Sequence, residues 1–118
     1  MSTSISKLLV NRYLDFLDEH IQNVVNHVEE DFLEINQIAD RLYVSHTHLT
    51  DTVQKETGHH PCHFYDLKII EVAKSLLSEE SNTIAGVARK LTYDPSNFSK
   101  FFKKFTGLTP GQFRSQFR

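Results

Sequence analysis

The chain has 118 residues, of which 39% are hydrophobic and 24% are charged, and its formal net charge is −2 at pH 7. This length suits one domain or two very small lobes, and the composition is typical of a soluble globular protein rather than of a membrane-spanning one. The single cysteine, Cys62, excludes an intramolecular disulfide and the N-terminus lacks a signal-peptide layout, so we expect a cytoplasmic chain.

The first predicted element is an N-terminal helical segment. Apolar residues recur at helical spacing from Ile5 to Val28, which predicts either one helix of roughly 36 Å or two helices with a break near Asp18. The first turns, residues 5–17, either cap the chain's own domain or meet a second copy or a neighbouring domain. We expect the acidic run at 29–31 to be a solvated helix end, where negative charge is poorly placed relative to the helix dipole.

Local start and stop signals predict the remaining helices. They cover 35–42, 46–57, about 61–78, 84–91, 95–106, and a last short helix through Phe113 and Phe117. Ser45 and Asp94 are suited to be N-caps, and Gly107 stands where a left-handed residue ends a helix. Thr109 and Gln112 form a capping box. No segment alternates with a period of two, so the predicted fold class is all-α.

The sequence contains an internal duplication. A shift of 49 positions lays residues 35–64 on residues 84–113 without a gap, and eight of the thirty pairs are identical. Each copy has two short helices around a tight turn, which predicts two helix-turn-helix motifs joined by a long linker helix. We expect the shared apolar positions to be buried: Ala39, Leu42, Leu49, Ala88, Leu91 and Phe98. The other phenylalanines of the second motif are expected to be core residues as well, not a base-stacking platform: Phe101, Phe102 and Phe105.

The charge is distributed unevenly along the chain. Residues 1–60 hold four Lys or Arg against ten Asp or Glu, whereas residues 84–118 hold seven against one. The low overall net charge argues against nucleic acid as a partner. The basic end, which carries one of the helix-turn-helix motifs, argues for it.

With these motifs, the chain resembles the DNA-binding domain of AraC/XylS-type bacterial transcription regulators. The resemblance covers about 21–116 and is most specific in the second motif, FSKFFKKFTGLTPGQFR at 98–114. It implies four parts: an N-terminal helical extension (1–20), a first helix-turn-helix subdomain (21–61), a linker helix (62–79) and a second helix-turn-helix subdomain (80–118). It also implies that one chain places recognition helices 46–57 and 95–106 in successive major grooves of double-stranded DNA.

The resemblance further implies which side chains face the DNA. In the first recognition helix they are Thr47, Thr50 and Asp51, with Gln54 nearby. His48 is either an exposed surface residue or a contact to a phosphate or base. In the second they are Ser96, Asn97, Ser99 and Lys100, with Lys103 and Lys104 toward the DNA backbone. Asp51 and Gln54 stand where the family usually has basic residues, so the first motif is expected to bind weakly or to read cytosine amino groups. Thr92 replaces a usual Gly, and the turn at Tyr93 is expected to be one residue short of the family pattern, which would rotate the second recognition helix.

Other chemistry is poorly supported by the sequence. The run from His59 to His63 has metal-ligand residue types, but they crowd one turn without a second pair at zinc-finger spacing, so we predict no metal and no cofactor. Cys62 has no evident activating group for redox or methyl-transfer chemistry, and no catalytic constellation is visible, so we predict no enzyme activity. The expected partners are double-stranded DNA, RNA polymerase and, through residues 5–17, a second copy of the chain, with no membrane. The alternative function is a protein-interaction module that docks to a transcription partner, with weak or vestigial DNA binding.

Overall fold

Residues 4–116 are described by the computed structural model of this chain. Within that range the chain is all α, as predicted, and it measures 46 × 26 × 25 Å along its principal axes. The helices are α1 (Ile5–Val25), α2 (Ile35–Arg41), α3 (His46–Thr57), α4 (Pro61–Leu77), α5 (Ile84–Lys90), α6 (Pro95–Thr106) and α7 (Pro110–Ser115). None of these described helices is both long and apolar enough to cross a membrane.

α1 is one unbroken helix, so the first of the two predicted alternatives is correct. The predicted end at Val28 is wrong, because the helix stops at Val25. His27 adopts a left-handed conformation with φ of 62°. The N–H groups of Val28 and Glu29 then turn back to donate to the carbonyl of Asn23, at 2.8 and 3.1 Å. The chain therefore reverses over the end of α1 instead of extending it.

One face of α1 covers the first helix-turn-helix motif. Its buried residues recur every three or four positions: Leu9, Val10, Tyr13, Leu17, His20, Ile21 and Val24. This face packs against α3 and α4, and the Tyr13 hydroxyl donates a hydrogen bond to the Pro61 carbonyl at 2.7 Å. The first turns of α1 therefore belong to the core of the chain, and only their outer side, with Ile5 and Leu8, is exposed.

The two copies of the duplication have the same turn geometry. Tyr43 and Thr92, which are 49 positions apart, both have φ of 60°, in the left-handed region. The residue after each closes the turn in the same way: the Val44 N–H donates to Ala39 O at 3.1 Å, and the Tyr93 N–H donates to Ala88 O at 2.8 Å. The second turn is thus as long as the first within this chain, with the same left-handed residue and an equivalent closing hydrogen bond.

Short-range capping fixes the ends of both recognition helices. The Ser45 hydroxyl accepts from the His48 N–H at 3.0 Å, and the Asp94 carboxylate accepts from two N–H groups of the first turn of α6. Gly58 and Gly107 follow the last helical residues with φ of 80°, which a residue without Cβ adopts at no steric cost. The predicted capping box of α7 is confirmed, whereas Phe117 lies outside the described residues.

The core joins both motifs along α4. The six residues predicted to be buried, which form three equivalent pairs in the repeats, are buried: Ala39, Leu42, Leu49, Ala88, Leu91 and Phe98. Phe102 is fully buried as well, and Phe101 and Phe105 are half-buried against the core. The ring of Phe101 stacks on that of Tyr93 with centroids 5.3 Å apart. The phenylalanines of α6 therefore serve the packing of the second motif.

The acidic run at 29–31 is not simply a solvated helix end, and this prediction is wrong for Glu29. The Glu29 carboxylate lies 2.7 Å from Nδ1 of His20, whose side chain is buried, and 3.5 Å from the Arg41 guanidinium. The other ring nitrogen, Nε2, accepts a hydrogen bond from the Leu33 N–H at 3.0 Å. Because Nε2 is an acceptor, the proton of the neutral ring sits on Nδ1, the nitrogen that faces the Glu29 carboxylate. Burial lowers the pKa of His20, with Glu29 opposing that shift.

Candidate nucleic-acid interface

The candidate DNA-facing residues of α3 and α6 occupy equivalent positions in the duplication. The pairs are Thr47 and Ser96, His48 and Asn97, Thr50 and Ser99, Asp51 and Lys100, and Gln54 and Lys103. Residues at i, i+3, i+4 and i+7 lie along one face of a helix, so each set forms a continuous stripe. In both helices the opposite face carries the core residues, which are Leu49 and Val53 in α3 and Phe98 and Phe102 in α6.

One equivalent pair lies at the edge of this stripe rather than on it. Thr50 and Ser99 are half-buried, whereas the other candidates are exposed. The Oγ1 of Thr50 is itself buried and has no hydrogen-bond partner within residues 4–116. Its hydroxyl is therefore not free to reach a base edge in this arrangement. Because the two residues are buried to the same class, equivalent sides of α3 and α6 are covered by the rest of the protein.

Charge distinguishes the two stripes. At equivalent positions α3 has Asp51 and Gln54 where α6 has Lys100 and Lys103, and all four side chains are exposed. Neither lysine forms an ion pair with any described residue of the chain. At these two equivalent positions, α6 thus has two unpaired cations, whereas α3 has one carboxylate and one neutral amide. The arrangement suits an anionic ligand along α6 and polar recognition along α3.

Lys104 is exposed, but it also interacts with other side chains of the protein. Its Nζ lies 5.5 Å from the centroid of the Phe105 ring. Burial raises the pKa of Asp66 on α4, while Lys104 and His63 oppose that shift, which indicates that the Lys104 charge acts toward α4. Of the three lysines predicted to face DNA, Lys104 is therefore the one whose charge is shared with the protein.

Arg114, counted in the basic end of the sequence, is used internally. Its guanidinium donates to Leu77 O at 3.0 Å and to Glu79 O at 3.4 Å, and also to Asn82 O. These carbonyls belong to the end of α4 and the connector that follows it. Arg114 thus fastens α7 to the linker helix, and the positive charge available on the surface of the second motif is smaller than the sequence count suggests.

Sequence reasoning missed a polar contact that positions the first motif. The Arg12 guanidinium, on α1, donates to the Leu42 carbonyl at the end of α2 at 3.0 Å. The pair is separated by 30 residues and satisfies a carbonyl that the helix leaves unpaired. No local sequence pattern predicts this contact, because it depends on the position of α1 relative to α2 in the folded chain.

The histidine-rich segment between α3 and α4 contributes to local structure. The rings of His59 and His63 stack with centroids 4.1 Å apart, and Nδ1 of His60 accepts from the Cys62 N–H at 3.1 Å as the N-cap of α4. Burial raises the pKa of the Cys62 thiol, which lowers the fraction of reactive thiolate. Among the described residues, no three or more His, Cys, Asp or Glu side chains are grouped so that they could hold a metal ion.

Comparisons with known proteins agree with this architecture. The family described as "Helix-turn-helix domain" matches residues 38–116. The chain is 33% identical over 103 residues to the Bacillus subtilis "Uncharacterized HTH-type transcriptional regulator YtdP", covering 86% of this chain and 13% of that protein. It is 30% identical over 98 residues to the Escherichia coli "Arabinose operon regulatory protein", covering 82% of this chain and 34% of that protein. The chain thus spans about a third or less of the curated relatives to which it is compared here.

A solved structure shows the same fold. The C-terminal domain of AraT, a response regulator from Geobacillus stearothermophilus, has a TM-score of 0.79 and 28% sequence identity. The similarity covers 96% of this chain and 88% of that one. Together with the duplicated helix-turn-helix geometry and the match over most of its length, this similarity shows that the chain belongs to the AraC/XylS-type family of helix-turn-helix DNA-binding domains.

Proposed function

We propose that this chain is the sequence-specific, double-stranded DNA-binding part of a transcription regulator. The observation that carries the proposal is the pair of equivalent helices, α3 and α6, each capped and packed in the same way with a polar stripe facing outward. An α-helix fits the major groove of B-DNA, where side chains can reach base edges. The descriptions of the relatives as transcription regulators support the same function.

Two recognition helices on one chain suit two successive major grooves. Successive grooves on one face of B-DNA are about 34 Å apart. The two motifs are separated by the 17 residues of α4, a helix of roughly 26 Å at 1.5 Å per residue. Both motifs pack against this helix in a chain that is 46 Å long, and this elongated shape supports a tandem arrangement of the two recognition helices. We therefore expect an asymmetric target with two elements one helical turn apart.

The two motifs divide the work of binding unequally. α6 contributes Lys100 and Lys103, and phosphate contacts by cations release condensed counterions, which dominates non-specific affinity. α3 contributes Thr47, Asp51 and Gln54, of which Asp51 is repelled by phosphates but can accept from a cytosine amino group. The second motif thus supplies most of the affinity, and the first supplies selectivity.

Selection from random duplex DNA, followed by titrations at several salt concentrations, tests the proposal. Lys103→Ala should weaken binding to all sequences alike and make the log–log salt slope shallower by about 0.9. Asp51→Ala should raise non-specific affinity and relax the preference at one position. Lys7→Ala is the matched control, because this exposed lysine lies on α1 beside Glu56 and Thr57 at the end of α3, outside both recognition stripes, and should leave the slope unchanged.

Three outcomes together would reject DNA binding: no enriched sequence, no salt signature for Lys103→Ala, and no effect of Asp51→Ala. The alternative, a protein-interaction module with vestigial DNA binding, would then be the better description. Enrichment with two elements at one spacing would support tandem readout, and a single enriched element would restrict recognition to one motif.

RNA polymerase is the partner we propose for the transcription step, with its contact on the acidic first half. Glu30 is exposed there. Replacing it by Lys should weaken binding to purified RNA polymerase without changing the affinity for DNA. Unchanged polymerase binding would remove this surface from consideration. We also propose a location in the bacterial cytoplasm, because the DNA that such a regulator binds lies there.

A homodimer is proposed only through the outer side of the first turns of α1. Ile5 and Leu8 are exposed to 84% and 50%, while Leu9 and Tyr13 beside them are core residues. Deleting 5–17 would therefore damage the core. The informative change is Ile5→Ser with Leu8→Ser, which should convert a dimer to a monomer in light scattering without lowering the melting temperature. A monomeric parent over the same concentration range would reject the dimer.

A further inference from the structure

A side-chain hydrogen bond links the first half of the chain directly to the second helix-turn-helix motif. The Thr92 hydroxyl, in the turn between α5 and α6, donates to Oδ1 of Asp31 at 3.0 Å across 61 positions of sequence. Asp31 lies in the loop between α1 and α2. The same oxygen accepts from the Phe32 N–H at 2.8 Å, which orients the carboxylate toward the turn.

Thr92 occupies a backbone conformation that β-branched residues avoid. Its φ of 60° lies in the left-handed region, where the Cβ crowds the backbone. Tyr43 has the same dihedral at the equivalent position of the first motif, but its side chain is 91% exposed. The turn geometry itself thus accepts different side chains. A residue with a strained backbone persists where contacts with the surrounding structure stabilise its conformation. At Thr92 the hydrogen bond from the hydroxyl to Asp31 is a contact of this kind.

The loop that presents Asp31 is firmly held in the first half of the chain. The Leu33 N–H donates to buried His20 on α1, and the Leu33 carbonyl accepts from the Tyr65 hydroxyl on α4 at 2.9 Å. The ring of Phe32 contacts that of Tyr65 edge to face, with centroids 6.0 Å apart. Asp31 is therefore a fixed point relative to α1, and α1 packs directly on α3.

On the other side of the hydrogen bond, Thr92 is close in sequence to the second recognition helix. α6 begins at Pro95, and Tyr93 between them stacks on Phe101 of that helix. Movement of the turn is thus transmitted directly to α6. Without Asp31, the position of α6 relative to α3 would depend mainly on the packing of both motifs against α4. The hydrogen bond adds a second connection beside the linker helix.

We propose that Asp31 and Thr92 are positioning residues that fix α6 relative to α3 and so set the spacing of the two DNA elements that the chain can read. The effect on DNA spacing rests on the proposed function, but the mechanical part, the fixed position of α6 relative to α3, does not. A chain held at two points binds one spacing well and others poorly, because deforming either partner costs free energy. A chain held mainly by packing against α4 would adapt to several spacings.

The mechanical part can be measured without DNA. Spin labels are attached at Glu56→Cys on α3 and Arg89→Cys on α5, both exposed, in a chain whose exposed Cys62 is replaced by Ser. Thr92→Val removes the hydroxyl and keeps the branched shape, whereas Thr92→Ser keeps the hydroxyl. Pulsed electron–electron double resonance measures the distance between the two labels. Its distribution should be broader for Thr92→Val than for the parent, and Thr92→Ser should keep the parental width. Equal widths in all three proteins would overturn the proposal.

The consequence for DNA is tested on the selected duplex and on versions with one base pair added or removed between the elements. The parent should lose affinity for both altered duplexes. Thr92→Val should discriminate between spacings at least threefold less than the parent, and Thr92→Ser should restore the discrimination. Asp31→Ala removes the acceptor of the same hydrogen bond on the exposed loop, so it should lower the discrimination between spacings as Thr92→Val does. It replaces Thr92→Val in the experiment if that variant does not fold.

The two experiments separate the two proposals. A parent that binds no DNA rejects the proposed function, and the distance measurement still decides whether the contact holds the motifs together. A Thr92→Val protein that binds every spacing more weakly by the same factor shows a general loss of structure, and this result would overturn a role in spacing. The expected result is a change in the ratio between spacings.

Discussion

His20 is expected to make the folded chain sensitive to mild acid. Its side chain is 1% exposed, Nδ1 lies 2.7 Å from the Glu29 carboxylate, and Nε2 accepts from the Leu33 N–H. A second proton on Nε2 would face a backbone N–H and break that hydrogen bond. Burial accordingly lowers the pKa of His20 below its ordinary value of 6.5. The unfolded chain then binds a proton at pH values where the folded chain does not.

The sign and the size of the effect follow from this difference. Stability rises with pH wherever the unfolded state binds more protons, so the His20 contribution is complete above about pH 6.5 and is lost as pH falls toward the folded pKa. The slope cannot exceed that of one proton, about 1.4 kcal/mol per pH unit. Urea unfolding of the parent between pH 8 and 5.5 should show a free energy of unfolding that falls in the lower part of this range.

His20→Phe is the informative change, because the site is surrounded by the rings of Phe16, Phe32 and Tyr65. The new ring fits among them but leaves the Leu33 N–H unpaired, so stability at pH 8 should fall by about 1–3 kcal/mol. The pH slope should fall too, and the two stability curves should approach each other at pH 5.5. Exposed histidines cancel in the comparison. Parallel curves for the parent and the variant would refute the assigned proton and tautomer.

Three further changes test the packing and the turns. Phe98→Ala should lower the free energy of unfolding by about 3–5 kcal/mol, measured in urea against Leu67→Ala at an exposed position, and equal losses would contradict the core assignment. Tyr43→Gly should raise stability by roughly 0.5–1 kcal/mol, since relief of left-handed strain exceeds the entropy cost of glycine. Arg114→Met should cost about 1–3 kcal/mol by leaving carbonyls unpaired, with an unchanged DNA salt slope, and a shallower slope would place Arg114 on DNA.

The helix boundaries were predictable where they depend on neighbours in sequence. α3 and α6 have the predicted limits because each begins at a side-chain N-cap and ends at a left-handed glycine, Gly58 or Gly107. These signals act within one turn of helix, so the sequence contains all the information they need. The duplication was predictable for a related reason, since core positions and glycines recur at a constant offset.

The end of α1 was not predictable in this way. Val28 continues the apolar spacing, but the chain leaves the helix at Asn26 because Glu29 is drawn to His20, nine residues back. A histidine within an apolar pattern and an acidic run after it look unrelated in sequence. Their pairing appears only when the loop is folded over the helix. The same holds for Arg12 and Leu42, and for Thr92 and Asp31.

For the candidate site, the sequence was better at naming the helices than at orienting individual side chains. Thr50 and Ser99 belong to the right helices, yet both are half-buried at the edge of the exposed stripe. The pattern of apolar residues defines the centre of the buried face, but its edge depends on what packs there. Lys104 and Arg114 illustrate the same limit for charge: a count of cations cannot show that Arg114 binds carbonyls within the chain.

The duplication separates the features of a motif that folding requires from those left open to function. Between the copies, helix caps, turn dihedrals and buried positions agree, whereas the exposed stripes differ in charge, with Asp51 opposite Lys100 and Gln54 opposite Lys103. Because these four side chains are exposed and outside the core, exchanging them should change stability little, within about 0.5 kcal/mol for each surface substitution. Asp51→Lys with Gln54→Lys should therefore fold like the parent and steepen the salt dependence of DNA binding by about 1.8. Lower melting of that variant would show that α3 needs its acidic stripe for folding, and an unchanged slope would show that α3 does not approach the DNA backbone.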